Sequence, residues 1–380
     1  MTSPHMTRAL ELARAVKGRT SPNPAVGAVL VRDGEVVGEG ATLPYGQPHA
    51  EPVALRAAGG RASGATMYVS LEPCSHWGRT PPCAGAIVDA GVRAVHLATL
   101  DPNPEVAGRG RAWLEQAGIE TTVGDGRDEA RALNADFARW ITSGRPYVLA
   151  KFAASADGKI ATRDGESRWI TGPEARAEGH RLRDRVDAIL VGVGTVLADD
   201  PQLTTRLPDA VRAPRHPLRL VLDSTGRTPL GARLLAGDLP GATAICTTAR
   251  AAPAWRAAVA AAGAEVLVLP QRDGRVDLDA LLDELGRRKV TSLLVEGGAA
   301  VHGAFFDAGL PDEALAYLAP LIVGGGGAPG PVGGLGPGRL AGAHRLQRVE
   351  VRRVGVDTLI SGVLRETRWP EAAGGSTTTD

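Results

Sequence analysis

Cysteine is scarce in this chain. Three residues in 380 cannot build a disulfide framework, so the fold must be held by buried apolar surface and the thiols stay available for metal chemistry. Net charge is missing too, because 43 Lys+Arg stand against 42 Asp+Glu. Without a basic excess or a long basic run there is no electrostatic footprint for a nucleic acid. Long hydrophobic runs are also lacking: no apolar stretch reaches the roughly 18 residues of a membrane span. Arg8, Glu11 and Arg14 interrupt any signal-peptide core near the start. The expectation is a soluble cytoplasmic protein that binds neither nucleic acid nor membrane. Lysine is the rarest charged residue, present only at positions 17, 151, 159 and 289.

The length suggests two or three domains. The first 145 residues alternate extended and helical patterns. Strands are expected at Ala25–Val31 and Val36–Ala41 around an Asp-Gly turn, then at Thr66–Leu71, Ala94–Leu100 and Ile119–Val123, with a closing helix over Arg127–Ile141. Such an order implies a sheet covered by helices on both faces. The polar stretch from Thr142 to Pro146 marks a boundary, giving domains 1–145 and 146–369 and a disordered tail over 370–380. In the second domain the alternation ends in strands at Ala314–Ala319, Gln347–Val354 and Asp357–Glu366 without intervening helices, which predicts a mixed sheet closed by an antiparallel hairpin. The Gly- and Pro-rich stretch 324–338 reads as a mobile loop, and Cys246 as an inert strand residue.

The strongest chemical signal is His49-Ala50-Glu51 followed by Pro73-Cys74 and Cys83. His49 and Glu51 open one expected helix, and Cys74 and Cys83 bracket a loop entering the next. A helix N-terminus favours thiolate over thiol, the form that binds zinc. One imidazole and two thiolates leave a fourth tetrahedral position for water, which then titrates near neutrality. Glu51 can take its proton and pass it to a leaving amine. H-x-E with P-C-x-x-C is the signature of zinc deaminases, although here eight residues separate the cysteines. A structural zinc with His76 as fourth ligand is the competing reading.

The run from Leu71 to Cys83, Leu-Glu-Pro-Cys-Ser-His-Trp-Gly-Arg-Thr-Pro-Pro-Cys, resembles the bifunctional riboflavin-biosynthesis deaminase/reductase family. So do Ser21-Pro22-Asn23-Pro24-Ala25-Val26-Gly27 and Asp101-Pro102-Asn103-Pro104. The resemblance implies a cytidine-deaminase-like three-layer α/β/α domain followed by a dihydrofolate-reductase-like α/β domain with a mixed sheet. It also implies one zinc per chain, NADPH, a phosphoribosylated pyrimidine as substrate, and a homo-oligomer, dimer or tetramer. Deamination at the pyrimidine C2 would precede reduction of the ribosyl group to ribityl. For the first site it points to Asn23, His76, Arg79 and Asn103 as substrate contacts. Asn23 suits a pyrimidine edge as donor and acceptor, and Arg79 a phosphate.

Gly192-Val193-Gly194 lacks the third glycine of a dinucleotide fingerprint. Its surroundings instead match the reductase half of the same family. That match implies cofactor contacts at Ala153, Trp169, Thr195, Asp199, Ser224 and at Gly298, Ala299, Ala300, Val301, His302, Gly303 and Ala304. Ser167, Arg183, Leu203, Arg206 and Glu296 match substrate positions, the two arginines suiting a phosphate dianion. Lys151 and Asp157 join them because a lysine within an apolar strand is costly unless it is paired or in a cleft. Two further readings remain at this point: a nucleic-acid base deaminase, and a zinc-stabilised nucleotide sensor without activity.

Overall fold

The computed structural model describes residues 2–78, 81–207 and 211–371. The chain divides into two compact units, one of Met1–Gly144 with Thr367–Asp380, the other of Arg145–Glu366.

The first unit contains α1 (Pro4–Val16), β1 (Gly27–Arg32), β2 (Glu35–Ala41), α2 (Ala50–Ala58), β3 (Thr66–Val69), α3 (Cys83–Asp89), β4 (Ala94–Leu97), α4 (Arg109–Gln116), β5 (Glu120–Val123), α5 (Arg127–Leu133) and α6 (Ala135–Ser143). Its sheet has the order β2-β1-β3-β4-β5. The first two ladders are antiparallel and the last two parallel. Strand alternation sorts the side chains into two cores. Ala28 and Leu30 of β1 join Ala50, Ala54, Ile87 and Leu114 on one face, while Val29 joins Met6, Leu10 and Ala130 on the other. A three-layer α/β/α arrangement results.

One expected helix is two. The run Arg127–Ile141 breaks at Asn134 (φ −112°, ψ 24°). The fully buried Asn134 amide accepts from Ala25 N at 2.9 Å and donates to Ala25 O at 3.0 Å. That pair pins the segment carrying Asn23. The C-terminal boundary also moves. Trp369 packs on the first unit's core, with Arg131 over its ring at 5.6 Å, so residues from Thr367 onward leave the second domain. Of the expected tail, positions 372–380 lie outside the described residues.

The second unit contains β6 (Tyr147–Ser155), α7 (Pro173–Arg185), β7 (Ala188–Gly192), α8 (Val193–Asp199), β8 (Leu218–Leu222), β9 (Thr243–Thr247), α9 (Pro253–Ala261), β10 (Glu265–Val268), β11 (Gln271–Arg272), β12 (Arg275–Val276), α10 (Leu278–Arg287), β13 (Ser292–Val295), α11 (Ala299–Asp307), β14 (Glu313–Ala319), β15 (Gln347–Val354) and β16 (Asp357–Val363). Nine strands form one sheet, β10-β9-β8-β7-β13-β6-β14-β16-β15. Pairing is parallel from β10 to β14. It turns antiparallel at β16 and β15, the expected closing hairpin. The central parallel strands β7, β9 and β13 are buried along their whole length and read as largely apolar runs, while the edge strand β10 is mostly exposed. Leu190, Leu220 and Leu293 face the side of α10 and α11, and Ile189, Val191 and Leu294 face the opposite core. Cys246 is fully buried, and burial pushes its thiol up to about 12.

The 324–338 stretch is not a free loop. Backbone and carboxylate contacts pin it to the turn after β6 and to α11.

Candidate active sites

In the first unit, three donors converge because three elements end at one place. His49 is the N-cap of α2, Cys74 lies on the loop after β3, and Cys83 is the first residue of α3. Gly38 and Gly40 let α2 ride directly on β2: a Cβ on Gly40 would lie 2.4 Å from the Ala50 carbonyl. Nδ1 of His49 is 3.7 Å from the Cys74 sulfur and 3.4 Å from the Cys83 sulfur. The three ligand atoms lie within 4.8 Å of one another. That spacing suits tetrahedral bonds of about 2.0–2.3 Å to a common ion, and the N/S/S donor set suits zinc. Cys74 is held at about 4, by the hydrogen bond from the Cys83 thiol first and then by His49. Its sulfur also accepts from Cys83 N at 3.3 Å. Cys83, which donates to Cys74, is pushed up in turn.

Glu51 is buried in the first turn of α2 at 3% exposure. Burial raises its carboxyl to about 7, against the opposing pull of His49. Pro52 follows it without cost, because a proline in the first helical turn forfeits no intrahelical bond.

The remaining expected residues of this site are placed unequally. Asn23 sits in a turn closed by its own N–H on Thr20 O at 2.9 Å. The His76 Nδ1 atom is buried without a hydrogen-bond partner. Arg79 lies outside the described residues. Asn103 shapes its own turn, its Oδ1 accepting from Glu105 N at 3.0 Å. Sequence reasoning missed Glu72. This buried carboxylate accepts from Asp101 N, Gly108 N and Arg111 N at 2.9–3.0 Å and thereby docks the Asp101–Arg111 segment beside Cys74. An acid directly before Pro-Cys at a strand end was the available signal. Asp101 is buried as well, and desolvation pushes it up to about 8.

In the second unit the expected residues gather at the C-terminal ends of β6, β7 and β13, where parallel sheets place their ligands. Glu296, just past β13, is gripped by Arg183 of α7: Nε to Oε1 at 3.1 Å and Nη2 to Oε2 at 2.6 Å. Burial acts to raise Glu296, but Arg183 and then Lys151 outweigh it and hold the carboxyl at about 2. Nη1 of Arg183 donates to Thr204 O at 3.1 Å. Its fork is therefore committed within the protein, and Nη1 of Arg206 donates to the Thr204 hydroxyl at 3.2 Å. Lys151 Nζ lies 5.8 Å from the Tyr317 ring centroid. His180, one turn before Arg183 on α7, was not anticipated. Its Nδ1 accepts from Arg206 N at 3.3 Å, and burial, then Arg183 and Arg206, lower it to about 4. The i, i+3 spacing to Arg183 could have indicated it.

Leu203 enters the hydrophobic core with φ 54°, so only its backbone is available to a substrate. Ser167 donates to Asp199 at 3.1 Å, joining an expected substrate contact to an expected cofactor contact. Asp157 points elsewhere. Its carboxylate accepts from the Ser155 hydroxyl (2.5 Å), Val323 N (3.1 Å) and Gly324 N (2.7 Å), which hold it at about 2.

The cofactor set is also spread unevenly. Gly192 N donates to Gly297 O at 2.9 Å, and the Thr195 hydroxyl would lie 3.3 Å from a Cβ on Gly298. The start of α8 thus abuts the Gly297-Gly298 turn into α11. That helix starts without a side-chain cap, so its first N–H groups suit a pyrophosphate. Ala153 lies half-buried on β6. His302 is buried edge-on to Phe152 at 5.9 Å, and burial lowers it to about 4. Ser224, after β8, accepts from Val276 N at 3.0 Å. Trp169 is 67% exposed, with Arg176 over its ring at 4.7 Å.

A deaminase-type metal centre in one unit and a nucleotide-binding α/β sheet in the other define a hydrolase joined to an oxidoreductase. Residues 2–99 match the cytidine and deoxycytidylate deaminase zinc-binding region, and residues 146–360 the RibD C-terminal domain. The chain is 43% identical over 362 residues to riboflavin biosynthesis protein RibD of Bacillus amyloliquefaciens, covering 95% of this chain and 96% of that one. Against RibD of Escherichia coli K12 it is 43% identical over 365 residues, with 94% and 97% coverage. The fold is similar to that of Acinetobacter baumannii RibD, with TM-score 0.84, 38% identity, and 95% and 98% coverage. The chain belongs to the RibD family: it is a bifunctional deaminase/reductase of riboflavin biosynthesis that uses zinc and NADPH.

Proposed function

We propose that the first unit hydrolytically deaminates 2,5-diamino-6-(5-phosphoribosylamino)pyrimidin-4(3H)-one through His49, Cys74, Cys83 and Glu51. The convergence of the three donor atoms within 4.8 Å beside a buried glutamate carries this reading. His49, Cys74 and Cys83 would hold zinc, which supplies the Lewis acidity that makes water nucleophilic near neutral pH. Glu51, poised near neutrality, accepts the proton of the attacking water and returns it to the amine as the C2–N bond breaks and ammonia leaves. Asn23 orients the pyrimidine edge, and His76, Arg79 and Asn103 meet the ribose phosphate.

The second unit reduces the ribosyl group of the product to ribityl. The uncapped N–H groups at the start of α11 would hold the pyrophosphate of NADPH, which would supply the hydride. Lys151, Ser167, Arg206 and Glu296 orient the opened sugar, and Arg183 fixes Glu296. Positioning alone accounts for much of such a rate enhancement. We also propose assembly as a dimer or tetramer in the cytoplasm, testable by light scattering.

The test follows ammonia and NADPH in one vessel, using wild type, Cys74→Ser and Glu51→Gln. Wild type should release ammonia without NADPH and consume NADPH only afterwards. Both variants should lose ammonia release yet still reduce the deaminated intermediate. Ammonia release by Glu51→Gln at the wild-type rate would refute its role.

A further inference from the structure

The Gly-rich segment between β14 and β15 is tied down at both ends. Near its start, the Asp157 carboxylate accepts from Val323 N and Gly324 N, Lys159 Nζ donates to Ala328 O at 3.1 Å, and Ile160 N donates to Pro329 O at 3.0 Å. Near its end, Gly333 N donates to Ala299 O at 2.9 Å. Asp307, the last residue of α11, accepts from Leu335 N at 2.8 Å and Gly336 N at 3.0 Å. The segment also lies flush on the helix: a Cβ on Gly303 would sit 2.3 Å from the Gly333 carbonyl carbon. A glycine-rich chain loses more conformational entropy on ordering than any other. Pins at both ends are what keep this one in place.

We propose that residues 324–336 form a strap that holds α11 against the end of β6, with Asp157 and Asp307 as its two latches. Asp157 is then a positioning residue for hydride transfer, acting through α11, and not a substrate contact. Helix α11 starts at the Gly297-Gly298 turn, and its entry is fixed on one side by Gly192 N on Gly297 O. The strap supplies the opposite constraint, through Ala299 at the first turn and Asp307 at the last. Loosening a latch lets the helix start shift by fractions of an ångström, which weakens cofactor binding before it affects the chemistry. This inference rests on the reductase reading for its kinetic consequence, but not for its structural one.

The test uses the full-length zinc-loaded protein as wild type, Asp157→Ala, Asp157→Asn and Asp307→Asn. Hydrogen exchange followed by mass spectrometry should show faster exchange over residues 321–336 in Asp157→Ala, with β7 and β13 unchanged. KM for NADPH should rise about tenfold while kcat falls less than about threefold, the split expected when positioning of the cofactor is loosened. Asp157→Asn, which keeps one acceptor oxygen, should recover most of the KM. Asp307→Asn, a surface change at the other latch, should raise KM in the same direction and carries the test if Asp157→Ala unfolds the unit. Unchanged exchange over the strap in these variants, or faster exchange with an unchanged KM for NADPH, would overturn the proposal. A wild-type protein unable to oxidise NADPH with the deaminated intermediate would instead remove the reductase reading and leave the exchange prediction standing.

Discussion

Arg183 and Glu296 form a two-point ion pair, Nε to Oε1 at 3.1 Å and Nη2 to Oε2 at 2.6 Å, with side chains only 15% and 9% exposed. Removing one partner of such a pair leaves the other charge buried without compensation, at a cost of about 3–5 kcal/mol. Arg183→Met should therefore lower the urea midpoint of the second unit and abolish NADPH oxidation, while ammonia release persists. Arg183→Met/Glu296→Gln should recover stability without recovering reduction. Full stability in Arg183→Met alone would show that the pair is not coupled as the geometry requires.

Acid should weaken the same unit. His180 and His302 are each lowered to about 4 by burial, with the cations Arg183, Arg206 and Lys151 adding to the effect. Once unfolded, both imidazoles protonate near about 6.5. Between those values the unfolded chain binds more protons than the folded one, so stability falls as pH drops from about 6.5 towards 4. Urea midpoints of the second unit measured at several pH values should trace that decline. His180→Gln should flatten part of it, and an identical slope in the variant would assign the titration elsewhere.

Asn134 pairs with both backbone groups of Ala25 and is fully buried. Asn134→Ala strands a buried N–H and a buried carbonyl, each costing about 1–3 kcal/mol. The first unit should lose stability, and KM for the pyrimidine should rise because Asn23 lies two residues upstream. NADPH oxidation with the deaminated intermediate should not change. A stability loss without any change in pyrimidine KM would confine Asn134 to a structural role.

What the sequence disclosed depended on how local each determinant was. His49, Glu51, Cys74 and Cys83 were legible because helix starts and short motifs declare themselves within a few residues. The closing hairpin of the second sheet was legible because strands followed one another without helical patterns. The helix break at Asn134 was not, since its cause, Ala25, is 109 residues away. Nor was the return of Trp369 to the first unit, which depends on a partner as distant as Arg131. Composition marked the 324–338 stretch as mobile, because nothing within it announces that Asp157 and Asp307 hold it. Arg183 was legible as an arginine of the second site but not as the partner of Glu296, a long-range pairing.

The close seat of α2 on β2 sets where His49 is presented to Cys74 and Cys83. Helix α2 carries His49 at its cap and Glu51 in its first turn, and it rests on β2 where Gly40 leaves no side chain. A Cβ at Gly40 would lie 2.4 Å from Ala50 O and 2.5 Å from Ala54 N, both backbone atoms that cannot rotate away. Gly40→Ala must therefore push the start of α2 off the sheet and move His49 relative to Cys74 and Cys83. Zinc retained after dialysis against a graded chelator series should fall in this variant, and ammonia release should fall with it. Reloading with excess zinc should restore part of the activity, because the three donors remain. Second-unit NADPH oxidation, assayed with the deaminated intermediate, should match wild type. Wild-type zinc retention in Gly40→Ala would mean that the helix and strand separate without disturbing the ligands, and that their close contact serves packing alone.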